Sequence, residues 1–162
     1  MVLPANVTPA HLLAVEDPVA RAHVLAKAAH AGQPDKAGND YYTAPLLDVL
    51  RRAVAYGADA DEQAAALLHD IVEDRGVDQH DLWQAGFSDR TLLMVDLMTK
   101  RDGEPVEVYY ARLRAFEPAR RLKLDGDMAS NADPDRMALL EPSKGLRVTE
   151  KYAHARAALA AR

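Results

Sequence analysis

The stretch AAALLHDIVEDRG, residues 64–76, places one imidazole and three carboxylates within six residues of an otherwise apolar helical run. At 100° per residue, His69, Asp70, Glu73 and Asp74 span an arc of roughly 140°. Leu67, Leu68, Ile71 and Val72 fill the opposite side. His69 and Glu73 are i,i+4 neighbours, as are Asp70 and Asp74. Three carboxylates near a helix C-terminus are electrostatically unfavourable there. A divalent cation reverses that penalty. Imidazole plus carboxylate suits Mn²⁺, Fe²⁺ or Zn²⁺. The competing reading is a solvated acidic face.

A second polar cluster occurs in KLDGDMASNADPDR, residues 123–136. Asp127 and Asn131 are four residues apart and share a helical face, so a second helix can present a carboxylate and an amide to the same place. Helix capping is the competing role for these residue types.

Helices must position these groups. The chain has 162 residues, 49% hydrophobic and 28% charged, with apolar content weighted to Ala and Leu. That composition predicts an all-α fold, and the length fits one domain over residues 1–162. Thr8-Pro9 and Asp17-Pro18 each pair an N-cap with proline at the first helical position. They predict helices over about 9–15 and 18–31. GQPDKAGND, residues 32–40, reads as a loop. Further helices are expected over about 44–56, 61–74, from Asp78 to before Gly86, from Ser88 to about 99, from Pro105 to about 117, from Pro118 to about 131, and over 144–161. Trp83 is expected to pack inside, and Tyr109 and Tyr110 to be core or rim aromatics. There are no cysteines. Disulfides and thiolate metal sites are therefore excluded. The formal net charge of −5 argues against a broad nucleic-acid surface. No run of 18 apolar residues and no leader pattern stands out, which predicts a cytoplasmic protein with no membrane partner.

Several pieces occur together in order: AHAGQPDKAGNDYY (29–42), AALLHDIVED (65–74), LMTK (97–100), and Asp127 with Asn131 followed by Asp-Pro. This combination resembles the HD-domain hydrolases of the RelA/SpoT type, in particular the stand-alone small alarmone hydrolases, over about residues 18–155. That group also includes a metazoan SpoT homologue acting on NADPH. The resemblance implies an all-α bundle around one Mn²⁺, or another divalent metal, and release of pyrophosphate from the 3′-diphosphate of (p)ppGpp. It assigns His69, Asp70 and Asp127 as metal ligands, and Glu73 and Asp74 as the pair that positions and activates water. It assigns Lys36, Tyr41, Thr99, Lys100, Asn131 and Tyr152 to the nucleotide. The partner it implies is a small nucleotide with extra phosphates, and the oligomeric state stays open.

The chain departs from that pattern. The family reads Tyr-x-x-His-Pro where this chain reads Tyr41-Tyr42-Thr43-Ala44-Pro45, so Ala44 stands at a metal-ligating His. A basic residue is favoured where Asp35 stands. Lys-Leu-Ala-Asp becomes Lys123-Leu124-Asp125-Gly126-Asp127, one residue longer, and an Asp common before the Asn is Ser130. Asp127 is preferred over Asp125 because it keeps the four-residue spacing to Asn131. His30 is not expected to replace the missing ligand. Ala44 leaves three readings open: a working hydrolase with a three-ligand site, a nucleotide binder without turnover, and an enzyme carrying an introduced substitution. Hydrolysis of another nucleotide, NADPH included, is a further alternative.

Overall fold

The computed structural model describes residues 3–161. It is all-α, as the composition predicts, and among the described residues there is an isolated β-bridge, Pro34 to Asp40, but no strand. Helix α1 spans Pro9–Leu13 and α2 Pro18–Ala29. Thr8 and Asp17 cap them, accepting from the amides of His11 and Ala20. Residues 32–40 form the expected loop.

A π-helical segment, Tyr42–Leu46, leads into α3, Leu47–Ala55. Its cause is local. Pro45 has no N–H to give the carbonyl of Tyr41, so the Leu46 amide donates to it instead, at 3.1 Å. Helix α4, Ala60–Leu68, starts at an Asp59–Glu62 capping box. Its residues Ala64 to Leu68 are fully buried. Small side chains there let α2, α3 and α7 (Asp89–Met98) pack against it.

The predicted helix over 61–74 is broken. α4 ends at Leu68, and α5 covers Ile71–Arg75. Asp70, the N-cap of α5, keeps a right-handed backbone at φ −101° and ψ 0°. α6 spans Gln79–Gln84, capped by Asp78, and Ser88 caps α7. α8 spans Val106–Arg114, and α9 Glu117–Arg121. A second π segment, Leu122–Met128, follows directly and runs into α10, Ala129–Asn131. It coincides with the extra residue in Lys123–Asp127. A π turn holds one residue more than an α turn, so it absorbs the insertion without breaking the helix. Gly126 lets this segment lie against α3: a Cβ there would stand 3.0 Å from Leu122 Cδ1 and 3.3 Å from Val49 Cγ1.

A short helix, α11, spans Pro134–Met137, and α12 spans Pro142–Ala160 and packs on α8. The sequence reading missed α11, although Asp133-Pro134 carries the same signature as Asp17-Pro18. Trp83 corrects an expectation: it is exposed and stacks on His80 at 5.6 Å. It follows the amphipathic register of a six-residue helix whose inner face is already filled by Leu82 and Asp81. No helix among the described residues is long and apolar enough to cross a membrane.

Candidate active site

The break after α4 decides how His69 and Asp70 are used. On a continuous helix, adjacent side chains point 100° apart. At the turn between α4 and α5, Asp70 Oδ2 stands 3.1 Å from His69 Nε2. The other imidazole nitrogen, Nδ1, lies 2.7 Å from the carbonyl of Ala66, so Nδ1 carries the proton that it donates there. Nε2 is left to face the carboxylates, as an N–H when no cation is bound and as a lone pair when one is. It is buried and makes no hydrogen bond, while Asp127 Oδ1 faces it at 3.7 Å from the second π segment. A lone pair opposite two carboxylates is repulsive unless a positive centre sits among them. Burial disfavours charging His69, but Asp70 and then Asp127 outweigh it and hold its pKa well above the usual imidazole range.

Asp70 and Asp127 line a cavity of about 630 Å³. That is within the usual range for small-ligand sites. Of the twelve positions singled out in the sequence, nine line the cavity: Lys36, Tyr41, Asp70, Glu73, Asp74, Lys100, Asp127, Asn131 and Tyr152. His69 is buried behind Asp70 and Asp127. Thr99 does not line it. Its hydroxyl donates to the Val95 carbonyl at 2.8 Å, closing the end of α7. A Thr that ends a helix satisfies the last free carbonyls first, and this turns its side chain back. Ala44 does not line the cavity either; it stands in the first π segment.

The acids are differently placed. Glu73 accepts the backbone N–H of Lys100, and burial raises its pKa. Asp74 accepts from Gln33 Nε2 at 2.9 Å, and Gln33 Oε1 meets His30 Nδ1 at 2.8 Å. His30 stacks on Tyr41, with ring centroids 4.8 Å apart, and burial lowers its pKa. The Tyr41 hydroxyl donates to Asp70 Oδ2, and burial keeps Tyr41 protonated.

Three further cations join the cavity; the sequence offers Lys123, with Arg120 and Arg121, as a local cation for phosphates, and it does not single out the other two. Lys123 Nζ lies 2.6 Å from Asp127 Oδ2. Burial opposes its charge, and Asp127 overcomes this, so Lys123 stays protonated and Asp127 stays ionised. Arg136 of α11 and Lys151 of α12 also face in. The signals for them were weak. Arg136 follows Asp133-Pro134, and Lys151 sits beside Tyr152. Of the basic group 120–123, Lys123 alone lines the cavity. Arg120 pairs with Glu117 at 2.7 Å, and Arg121 lies over the Tyr56 ring at 4.3 Å. Asp35, unexpected in the loop, organises it: its carboxylate accepts from the amides of Ala37 and Asn39, both at 2.8 Å, and meets Arg136 at 3.4 Å.

The donor set bears on metal binding in two ways. One imidazole with its far nitrogen tied to a carbonyl, and two carboxylates facing its other nitrogen, is the chemistry a divalent cation uses. Against this, Tyr41 already bonds Asp70, and Lys123 and Asn131 bond Asp127, Asn131 at 2.6 Å. Among the described residues, no group of three or more His, Asp or Glu side chains is arranged so that it could hold a metal ion. The donor types suit a divalent cation, while their present arrangement, bonded to Tyr41, Lys123 and Asn131, does not form a metal-holding group.

No family model matches the chain. Two curated proteins are similar to part of it. A GTP pyrophosphokinase of Streptomyces coelicolor is 39% identical over 84 residues, covering 52% of this chain and 10% of that protein. A guanosine-3′,5′-bis(diphosphate) 3′-pyrophosphohydrolase of Vibrio cholerae is 35% identical over 82 residues, covering 51% of this chain and 11% of that protein. The matched stretch thus spans about a tenth of the length of either relative. The two partial matches support a relation to the RelA/SpoT family.

Proposed function

We propose that the chain is a cytoplasmic phosphohydrolase, a single HD-type domain, that releases pyrophosphate from the 3′-diphosphate of (p)ppGpp. The observation that carries this reading is the buried His69, whose Nε2 faces Asp70 at 3.1 Å and Asp127 at 3.7 Å behind a cavity lined with Lys and Arg. The partial match to a bis(diphosphate) pyrophosphohydrolase supports it.

His69, Asp70 and Asp127 would hold a divalent cation, Mn²⁺ by resemblance, which when bound polarises a phosphoryl oxygen and makes water more acidic. The chain's own residues do the rest. Glu73, with its raised pKa, accepts a proton from the attacking water more readily than an ordinary carboxylate does near neutral pH. The Lys100 amide fixes Glu73, and Gln33 fixes Asp74, so both acids are oriented before substrate arrives. Lys123 neutralises charge that builds on the phosphate, and Lys36 and Lys100 attract it into the cavity. Tyr41, Asn131 and Tyr152 line the wall where the nucleoside part lies.

A second reading, nucleotide binding without turnover, has a specific observation in its favour. The Lys123 ammonium sits on Asp127, so part of the charge a metal would balance is already balanced. With Ala44 in place of an imidazole, the site is one ligand short of the pattern it resembles.

The test is pyrophosphate release from ppGpp with added Mn²⁺, run on this chain and on Ala44→His. Turnover by both supports a working three-ligand hydrolase. Turnover by Ala44→His alone supports a hydrolase fold disabled at one ligand. Turnover by neither removes the hydrolase assignment and leaves binding, or another nucleotide such as NADPH.

A further inference from the structure

The cavity does not end at its rim. A narrow cleft shares Lys36, Asn131, Arg136 and Tyr152 with it, and opens past Leu140 and Val148 into an outer groove of about 260 Å³. Lys36 borders all three spaces. The outer groove is lined by Lys36, Lys144, Arg147 and Lys151 over an apolar floor of Leu140 and Val148.

These exposed charges are of one sign and gather along one groove. Lys144, Arg147 and Lys151 recur at i, i+3 and i+7, on one face of α12. Like charges at such spacing destabilise a helix. None of the four cations has a carboxylate within ion-pair distance among the described residues. Lys36 has its pKa lowered by burial first and by Lys151 next. Four cations therefore border one groove in a chain whose net charge is −5, although Lys36 also feels Asp127 and Asp70 of the inner cavity. An anion settles that repulsion. The lining shared between the cavity at Asp127, the cleft and the groove sets what kind: one that extends from the reacting phosphate out to the groove.

We propose that Lys144 and Arg147, with Lys36 and Lys151, form a second anion subsite that binds the phosphate chain at the far end of the nucleotide and makes affinity rise with the length of that chain. This rests on the phosphohydrolase reading above and names residues that it does not need. Lys144 and Arg147 are exposed on α12 and outside the cavity that holds the acids. Replacing them with alanine, a strong helix former, removes charge without removing core.

Isothermal titration of the full chain would use guanosine 3′-diphosphate carrying a 5′-mono-, di- or triphosphate. Each added 5′-phosphate is expected to tighten binding by about two- to fivefold, the range of a partly exposed ion pair. The Lys144→Ala/Arg147→Ala double variant should lose most of that gain and keep the monophosphate affinity. A variant that keeps the full gain overturns the proposal. So does an equal loss for all three nucleotides, which is the mark of a general field rather than a subsite. If no guanosine nucleotide binds, inorganic tripolyphosphate separates the two claims. Binding that depends on Lys144 and Arg147 upholds the subsite while the nucleotide reading falls, and no binding removes the subsite itself.

Discussion

Replacing Lys123 by Met should convert a charge-balanced site into one that demands a metal. Lys123 Nζ and Asp127 Oδ2 are 2.6 Å apart, with side chains 19% and 10% exposed. At an effective dielectric of about 20, that separation corresponds to a gross attraction of about 6 kcal/mol. Desolvation of both groups cancels much of this in the native protein. Removing one partner still leaves the other charge buried, and such deletions cost about 3–5 kcal/mol. Asp70 and Glu73 lie close enough to Lys123 to feel its charge, so their repulsion adds in the same direction. A domain stable by roughly 5–15 kcal/mol would survive the change in weakened form. Mn²⁺ should then restore stability, since a ligand at about a thousand times its Kd returns about 4 kcal/mol. The assay is urea unfolding of both proteins at several Mn²⁺ concentrations. The expected result is a lower midpoint for Lys123→Met without metal and a steeper rise with Mn²⁺ than in the parent. A loss under about 1 kcal/mol, within the range of an exposed pair, would show that Lys123 does not hold the site together. An equal Mn²⁺ response in both proteins would show that its ammonium and the cation do not compete.

Other consequences are open to simple measurements. Gly126→Ala should destabilise by about 0.5–2 kcal/mol, because overpacking against Leu122 and Val49 exceeds the entropic gain of replacing glycine; an unchanged or raised urea midpoint would refute this. Glu104 is held at about 2, first by Arg112, 2.7 Å away, and next by the Arg101 amide. Because its folded pKa is depressed, its stabilisation is complete above the unfolded value of about 4.3 and is lost as pH falls towards about 2. Glu104→Gln should therefore flatten the fall in midpoint across that window, and an acid limb identical to the parent's would count against the pairing. Arg21 donates to the carbonyls of Leu12, Val15 and Gly86 at 2.9, 2.8 and 2.5 Å, tying the α1–α2 connection to the turn after α6. Arg21→Lys cannot reproduce that planar fork and should cost about 1–3 kcal/mol, visible as a lower denaturation midpoint; retention of the parent midpoint would mean these bonds contribute nothing net.

Most helix starts were legible in the sequence, because caps and prolines act within one turn. Thr8, Asp17, Asp78 and Ser88 each accept the backbone amide that their types predict. The sequence also held the chemistry of the site in compressed form: His69-Asp70, Glu73-Asp74, and Asp127 four residues before Asn131. What periodicity misjudged is the backbone between those groups. A regular helix over 61–74 would have pointed His69 and Asp70 apart, and at the turn between α4 and α5 they stand 3.1 Å from each other. The extra residue after Lys123 was visible, but its absorption by a π segment was not, since that depends on Gly126 fitting against Val49 of α3. Only the tertiary structure decided which distant side chains meet: Lys123 on Asp127, Arg136 and Lys151 at the rim, and Thr99 turned back onto its own helix. Local sequence governs bonds a turn or two away, whereas convergence is set by how α4, α8, the second π segment and α12 pack, through contacts that no short stretch encodes.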